Sequence, residues 1–292
     1  MKLALADPNN HMLNFGYWTQ STTTPLEAQI QLCRVVGEFA NLHSAKKVMD
    51  IGSGFCAPAM LWKAMYDNLD IVCVDINLKQ LIAALEKITL SITTAIAKSD
   101  QFYVVNKNVE QTNSISLVNA AATRLPFANS CVDTLIALES AQHFKPIAGF
   151  LRECRRVLTP KGLLVVAIPI LGPKLSNQPL FIRQIARLGI LYFTWASEHY
   201  SLEKIKSAIV TEGFEIQDIQ HIGHSVYEPS ANYYIQNRQL LRQRLRTNTF
   251  PHAKSLLIDF VERLVYISVL KMNLSSQKGI IDYVLIRTEP AV

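Results

Sequence analysis

The most constraining feature of this sequence is a short apolar segment that runs into two closely spaced glycines. Residues 48–62 read VMDIGSGFCAPAMLW, a strand-like run followed by a helix-like run. Gly52 and Gly54 allow a tight turn between the two elements and a close approach of the backbone to a ligand. A dinucleotide site usually has a third glycine, but here Cys56 stands in that place and crowds the position of a pyrophosphate. The loop therefore favours a ligand without phosphates.

An acidic residue ends the next predicted strand. Residues 69–77, LDIVCVDIN, are apolar almost throughout, as expected for a strand covered on both faces. Asp75 lies about 20 residues past the glycines, where a carboxylate accepts hydrogen bonds from both hydroxyls of a ribose. The alternative is a simple cap at the strand end. With the glycine loop in place, we favour the ribose.

Strand-like and helix-like segments alternate along most of the chain. This alternation predicts βαβ units, a parallel sheet and right-handed crossovers. The predicted strands are 46–52, 69–77, 114–122, 131–140, 162–171, 214–223 and 281–288. A long helix is predicted over 78–97 and an amphipathic one over 146–158. The fold class expected from this pattern is α/β.

Two segments, 171–199 and 224–279, are longer than ordinary connections. Such insertions either build a substrate pocket or lid, or cover apolar surface in a homodimer. Apolar stretches at 180–195 and 255–270 carry few charges and would line a lipophilic pocket, rest on a membrane surface or be buried between subunits.

Composition excludes several classes of protein. Net charge is +6, and the one basic cluster, 237–246, has no accompanying RNA-binding motif, so no nucleic acid partner is expected. The five cysteines are widely spaced without a Cys-x-x-Cys pair, which predicts neither disulfides nor a zinc site. No uncharged apolar run of about 18 residues predicts a transmembrane helix. The N-terminal apolar run is too short for a signal peptide, so we expect a cytoplasmic protein.

Several segments in a characteristic order carry a family resemblance. They are VMDIGSGFC (48–56), VCVDIN (72–77), ATRLPFANSCVDTLIALESAQHF (122–144) and FLRECRRVLTPKGLLVVAIP (150–169). Together they resemble the class I S-adenosylmethionine-dependent methyltransferases. LNFGYW (13–18) is similar to a segment of their ubiquinone, tocopherol, sterol and sugar O-methyltransferase subgroup.

The resemblance implies a Rossmann-like fold with a seven-stranded, mostly parallel sheet, helices on both faces and inserted helical lid segments. A single domain over 1–292 is expected, with 1–45 as an N-terminal helical cap. The implied activity is methyl transfer from S-adenosyl-L-methionine to a small, lipophilic acceptor, first at oxygen and otherwise at carbon or nitrogen.

The resemblance also implies which residues bind the cofactor. Those that match the family pattern are Asp50, Gly52, Ser53 and Gly54 at the methionine half, Asp75 at the ribose, Ile76 and Ala122 at the adenine, Ala137 and Leu138 beside the methionine, and Tyr17 closing over the site. One position departs from the pattern, because Ala121 replaces the acidic residue that meets the adenine amino group. A weaker hold on adenine is expected there.

Methyl transfer to a hydroxyl needs a base to remove the proton. His143 matches the second histidine of the family's His-His-Phe signature, and imidazole titrates near neutral pH. Glu139 lies four residues earlier, so helical spacing would bring both side chains to one face. The alternative for His143 is a packing or capping role beside Phe144. No metal site is expected.

Two other functions share this fold. A base-methylating enzyme usually carries an Asn/Asp-Pro-Pro-Tyr tetrapeptide after the fourth strand, where this chain reads ALES. A double-glutamate loop of protein arginine enzymes is not visible either. A cyclase that keeps the cofactor but transfers no methyl group stays open, and a labelled product would distinguish it from a methyltransferase.

Overall fold

The computed structural model describes residues 11–66, 68–91, 95–99, 102–106, 115–172, 200–244 and 255–291. The chain divides into two compact units. Unit 1 comprises Met1–Leu32, Pro169–Leu202 and His221–Tyr283, and unit 2 comprises Cys33–Ile168, Glu203–Gln220 and Val284–Val292.

Strands and helices alternate as the sequence predicts. In chain order the elements are α1 (Pro25–Phe39), β1 (Lys47–Ile51), α2 (Ala57–Met65), β2 (Asp70–Asp75), α3 (Leu78–Ser91), β3 (Ala95–Ser99), β4 (Phe102–Asn106), β5 (Ile115–Asn119), β6 (Val132–Leu138), α4 (Ile147–Val157), β7 (Leu158–Leu171), α5 (Leu202–Thr211), β8 (Phe214–His221), α6 (Gly223–Gln236), α7 (Arg238–Arg244), α8 (Ser255–Gln277) and β9 (Ile281–Pro290). A short 3-10 helix, Ala141–His143, follows β6.

Seven strands form one sheet in the order β5-β2-β1-β6-β7-β9-β8. The pairs β1/β2, β1/β6, β2/β5 and β6/β7 are parallel. The predicted α/β, Rossmann-like fold is therefore confirmed. The strand order reverses at β1, since β2 and β6 flank it, and open α/β sheets bind ligands at the carboxyl ends of strands beside such a point.

One predicted element is wrong. The helix expected over 78–97 ends at Ser91, and Ala95–Ser99 instead pairs antiparallel with Phe102–Asn106 in a separate two-stranded sheet. The strand contains Ile96, which pairs with Val105, and β-branched residues lose side-chain freedom in a helix and suit a strand. Periodicity alone did not mark this change.

In unit 1, the segment LNFGYW is held by α6. The indole Nε1 of Trp18 donates a hydrogen bond to Ser230 Oγ at 2.8 Å, and its backbone N–H donates to Ser225 O at 2.8 Å. Ser230 Oγ also donates to Phe15 O at 3.3 Å. These contacts give the segment a structural role. The expected 1–45 cap and the single-domain organisation stay predictions.

Candidate cofactor and active site

The glycine loop follows β1 and is built from left-handed backbone. Gly52, Gly54 and Cys56 have φ values of 73°, 55° and 57°. The N–H groups of Gly52 and Ser53 both donate to Val74 O, at 2.7 and 3.2 Å, which ties the loop to the end of β2. A Cβ on Gly52 would collide with the side chain of Ser140. Only glycine fits this position without moving the loop.

Asp75 joins the same loop to the end of β2. Its Oδ2 accepts a hydrogen bond from Gly54 N at 2.8 Å, and its Oδ1 accepts one from Asn77 N at 2.7 Å. Asn119 on the neighbouring strand donates from Nδ2 to Asp75 O at 2.9 Å. Asp75 therefore does cap the strand end. An ionised carboxylate has about four acceptor sites, so two remain for the hydroxyls of a ribose.

Asp50 is the most unusual charged residue of this unit. It lies on β1 directly before the loop and is only 1% exposed. Within the described residues, its Oδ2 has no hydrogen-bond partner. Burial, with a smaller contribution from the charge of Asp75, raises the pKa of Asp50 to about 7. A buried carboxylate without a cation is costly, and a positively charged ligand group at the loop would offset that cost.

Cys56 replaces the third glycine without disturbing the turn. Its Sγ lies 3.5 Å from Ser53 Oγ, and the side chain is fully buried at the start of α2. A hydrogen bond with Cys56, together with burial, raises the pKa of the Cys73 thiol well above its usual range. The Cys73 thiol therefore stays protonated at neutral pH. Both side chains are buried and pack as small apolar groups. The left-handed backbone at Cys56 was not predictable from its residue type.

Residues after β6 close the site from the other side of β1. Ala137 and Leu138 are buried at the end of that strand. Ser140 Oγ donates to Ile51 O at 2.5 Å, which fixes the loop against β1. The sequence analysis missed Ser140, and its only signal was its place directly after a buried strand.

Gln142 is a second residue that the sequence analysis missed. It is buried, and its Nε2 donates to Glu139 O at 2.7 Å. Its Oε1 has no hydrogen-bond partner among the residues that the structure describes. A buried amide oxygen without a donor is uncommon in native proteins. Gln142 therefore offers an acceptor to a ligand N–H or O–H.

The predicted pairing of Glu139 and His143 on one helical face is wrong. The α-helical spacing does not exist there, because only Ala141–His143 forms a short 3-10 helix and Glu139 precedes it with φ 51°. Glu139 is buried, while His143 is exposed. The two side chains thus occupy different environments. A base role for either residue stays a prediction.

The loop after β5 carries the residues expected at the adenine. Ala122 is buried, Ala121 is half-buried, and Ile76 at the end of β2 is 75% exposed. Ala120 N donates to Asp75 O at 3.2 Å, which connects this loop to the end of β2. No acidic side chain stands at Ala121, as the sequence already indicated.

A carboxylate–guanidinium pair holds the loop after β5, the predicted adenine loop, in place. Glu153 accepts a hydrogen bond from Leu125 N at 2.6 Å, and Arg156 donates to Leu125 O at 2.9 Å and to Phe127 O at 2.6 Å. The side-chain hydrogen bond from Arg156 lowers the pKa of Glu153. Both ends of the loop's LPF sequence are therefore fixed by α4.

One predicted residue and one predicted insertion remain. Tyr17 belongs to unit 1, where its backbone N–H donates to Ala28 O at 2.8 Å. Its closure over the cofactor stays a prediction. Most of the 171–199 insertion, including the apolar stretch 180–195, lies outside the described residues.

Neither a metal centre nor a membrane span is found in the ranges given above. Within those ranges, no group of three or more His, Cys, Asp or Glu residues is arranged to hold a metal ion. Among the helices described, none combines the length and hydropathy that crossing a bilayer requires.

Comparison with known proteins indicates the chemistry of this site. The family model described as a methyltransferase domain matches residues 49–166, from β1 through most of β7. The chain contains a methyltransferase domain. The match covers the glycine loop, Asp75, the adenine loop and the residues after β6. The site described above thus lies within the methyltransferase domain.

The sequence similarity to two named relatives extends beyond this domain. The methyltransferase is 24% identical to erythromycin 3''-O-methyltransferase of Saccharopolyspora erythraea over 274 residues, covering 91% of this chain and 78% of the relative. It is 26% identical to 27-O-demethylrifamycin SV methyltransferase of Amycolatopsis mediterranei over 177 residues, covering 61% of this chain and 58% of that protein.

A solved structure of the same fold is a mycolic acid cyclopropane synthase complexed with SAH and CTAB. It is 15% identical, superposes with a TM-score of 0.73, and the match covers 98% of this chain and 92% of that one. S-adenosylmethionine is the cofactor of the methyltransferase. The chain's own residues fit it, because Asp50 is a buried carboxylate with an oxygen that lacks a partner, suited to a cationic ligand.

Proposed function

We propose that the methyltransferase transfers a methyl group from S-adenosylmethionine to a hydroxyl of a small, lipophilic natural product. The buried carboxylate of Asp50 carries the proposal, since it lies at the start of a loop shaped for a nucleoside and lacks a cationic partner within the described residues. The acceptor class is supported by the two relatives that are named as O-methyltransferases of erythromycin and a rifamycin.

The residues around the loop divide the work of binding. Asp75, held by Gly54 N and Asn77 N, presents its remaining lone pairs to the ribose hydroxyls. Asp50 balances the positive charge of the methionine half, which favours the ionised carboxylate. The loop backbone at Gly52 leaves room for the ligand to approach closely. When bound, S-adenosylmethionine supplies an electrophilic methyl group.

The residues after β6 orient the acceptor and remove its proton. His143 is exposed on the 3-10 helix, where its imidazole can take the hydroxyl proton as the oxygen attacks. The buried Oε1 of Gln142 accepts a hydrogen bond that orients either the acceptor or the methionine ammonium group. The enzyme's own contribution is alignment, exclusion of water and removal of one proton.

Methyl-labelled S-adenosylmethionine provides the test. The protein is incubated with labelled cofactor and a panel of macrolide and polyketide alcohols, and products are identified by mass spectrometry. Each acceptor is paired with its O-methylated form, which serves as the matched control. We expect label in the free alcohols only, at oxygen, and less label with Asp75→Ala when the cofactor is limiting.

Three outcomes would overturn the proposal. Label on nitrogen or carbon would replace the oxygen assignment. Label in RNA or protein and in no small molecule would move the enzyme to the macromolecular class. Cofactor binding together with a rearranged, unlabelled product would indicate a cyclase of this fold.

A further inference from the structure

The longest helix, α8, has a continuous row of exposed apolar side chains in unit 1. Phe260, Leu264, Ile267 and Leu274 are between 40% and 60% exposed. Their spacing of four, three and seven residues places them on a single face of the helix. The opposite face is buried, and its members include Glu262, Val269 and Met272. A row of four large apolar residues on one face is unusual for a surface that meets only water.

The charges on this face have one sign. Lys271 lies within the same row, Lys278 directly follows the end of the helix, and Arg263 is exposed beside the row. The acidic residues nearby are both neutralised. Asp259 pairs with Arg242 at 2.5 Å, and Glu262 is buried against the neighbouring helix. The outer face therefore presents apolar and cationic groups together.

A cleft of about 400 Å³ lies beside the row, between α7 and α8. Its lining includes three guanidinium groups and two carboxylates: Arg238, Arg242, Arg263, Asp259 and Glu262. Arg238 donates to both oxygens of Glu262, at 2.6 and 2.8 Å, and stacks on the ring of Tyr266 at 3.8 Å.

The cleft is left with one positive charge that is not neutralised. Arg238 forms an ion pair with Glu262, and Arg242 forms one with Asp259. Arg263, which also lines the cleft, forms no hydrogen bond or ion pair with the part of the chain that the structure describes. Ile267 lines the cleft and also belongs to the exposed row, so the two features are continuous. A phosphate in the cleft would lie directly beside apolar side chains.

We propose that this face of α8 binds the surface of an anionic phospholipid bilayer. The apolar row enters the interface between headgroups and acyl chains, Lys271 and Lys278 lie over the headgroups, and the cleft at Arg263 receives a lipid phosphate. An amphipathic helix with an apolar face and cationic flanks lies in the membrane plane in this way. A contact with a second copy fits less well, because lysine is depleted in protein interfaces.

Vesicle binding tests the proposal with the full-length protein. Phosphatidylcholine vesicles are compared with vesicles that also contain phosphatidylglycerol, and bound protein is measured by flotation. We expect binding to the anionic vesicles, weakened by added NaCl. Lys271→Gln and Lys278→Gln should each weaken binding about fivefold. Phe260→Gln combined with Leu264→Gln should weaken it at least about tenfold.

Matched controls come from unit 2. Val210 on α5 is 60% exposed, so Val210→Gln changes an equally exposed apolar residue away from the row. Lys161→Gln removes an exposed cation in the same way. Both variants should bind vesicles like the original protein. Equal loss in control and row variants would overturn the proposal.

Two further results would contradict it. The first is no binding to anionic vesicles at any salt concentration. The second is a dimer in solution that the Phe260 and Leu264 substitutions convert to a monomer, which would assign the row to a second copy of the chain. Sedimentation velocity without vesicles, where we expect a monomer for every variant, distinguishes these cases.

Discussion

The carboxylate of Asp75 accepts a hydrogen bond from the backbone N–H of Gly54 at 2.8 Å, joining the end of β2 to the glycine loop that follows β1. The residue proposed to bind the ribose thus also shapes the loop proposed to hold the methionine half. Its other oxygen accepts from Asn77 N at 2.7 Å. Substitution of Asp75 should therefore affect both halves of the cofactor.

Asp75→Ala should lower the affinity for S-adenosylhomocysteine by at least about tenfold. Hydrogen bonds to a charged group contribute about 1.5 to 3 kcal/mol each, and a tenfold change corresponds to about 1.4 kcal/mol. Isothermal titration calorimetry measures the change, with circular dichroism to confirm that the variant is folded. An unchanged Kd in a folded variant would show that Asp75 is only a cap for the strand.

Asp50→Asn should make the unliganded protein more stable above neutral pH. The pKa of Asp50 is raised to about 7 by burial, so the folded state keeps its proton between about pH 4 and 7 while the unfolded chain loses it. The stability of the original protein therefore falls across that interval. Asparagine does not ionise, and the variant should be free of this loss, which is on the order of 1.4 kcal/mol per pKa unit.

The same variant should bind S-adenosylmethionine more weakly, since the cationic half of the cofactor loses its negative partner. Melting temperatures between pH 4 and 8 and calorimetric titrations at pH 8 measure the two effects. If the melting temperatures of both proteins change with pH in the same way, Asp50 does not keep its proton in the folded state. Equal cofactor affinity would rule out its role at the cofactor.

Gly52→Ala should distort the glycine loop and abolish cofactor binding. The backbone at Gly52 has φ 73°, and an added Cβ would collide with Ser140. Gly149 on α4 is the matched control, because a Cβ there meets Thr123 at an ordinary 3.4 Å. Gly149→Ala should stabilise the protein by about 0.5 to 1 kcal/mol and keep the affinity. Thermal melts and titrations of the pair measure the contrast, and two equally tolerated substitutions would contradict it.

The sequence was sufficient to predict the sheet and the loop. The glycine spacing, the apolar run into Asp50 and the carboxylate at Asp75 each follow from local patterns, and the structure places them together at the carboxyl ends of β1 and β2. These residues are adjacent because parallel neighbouring strands end at the same sheet edge. The family match over residues 49–166 agrees with this assignment.

Other parts of the site were beyond reach of the sequence. Ser140 and Gln142 are positioned for their hydrogen bonds by the short 3-10 helix Ala141–His143. No local sequence pattern predicts such a turn. The spacing of Glu139 and His143 had indicated a shared helical face. Glu139 has a left-handed backbone conformation, so the two residues do not lie on one helix. The elevated pKa of Asp50 depends on complete burial between two strands, which is a property of the tertiary structure.

His143→Ala should lower kcat by about 10² to 10⁴-fold and leave the affinity for S-adenosylhomocysteine unchanged. The exposed imidazole is proposed to face the acceptor, not the adenosine. His43, exposed before β1, is the control, and His43→Ala should keep both parameters.

Steady-state kinetics with methyl-labelled S-adenosylmethionine and its alcohol acceptor provides these values. Near-normal turnover in His143→Ala would mean that alignment alone drives the reaction and that His143 packs beside Phe144. Joint loss of cofactor affinity and stability would assign it a structural role. Either result would turn attention to Glu139.

Calorimetric titration of the full-length protein with S-adenosylhomocysteine and, separately, with NAD tests the central claim most directly. The loop has Cys56 where a dinucleotide site needs a glycine, and Asp50 lacks a cationic partner within the described residues. The account therefore predicts one molecule of S-adenosylhomocysteine bound per chain and no measurable binding of NAD. Binding of NAD without binding of S-adenosylhomocysteine would contradict it.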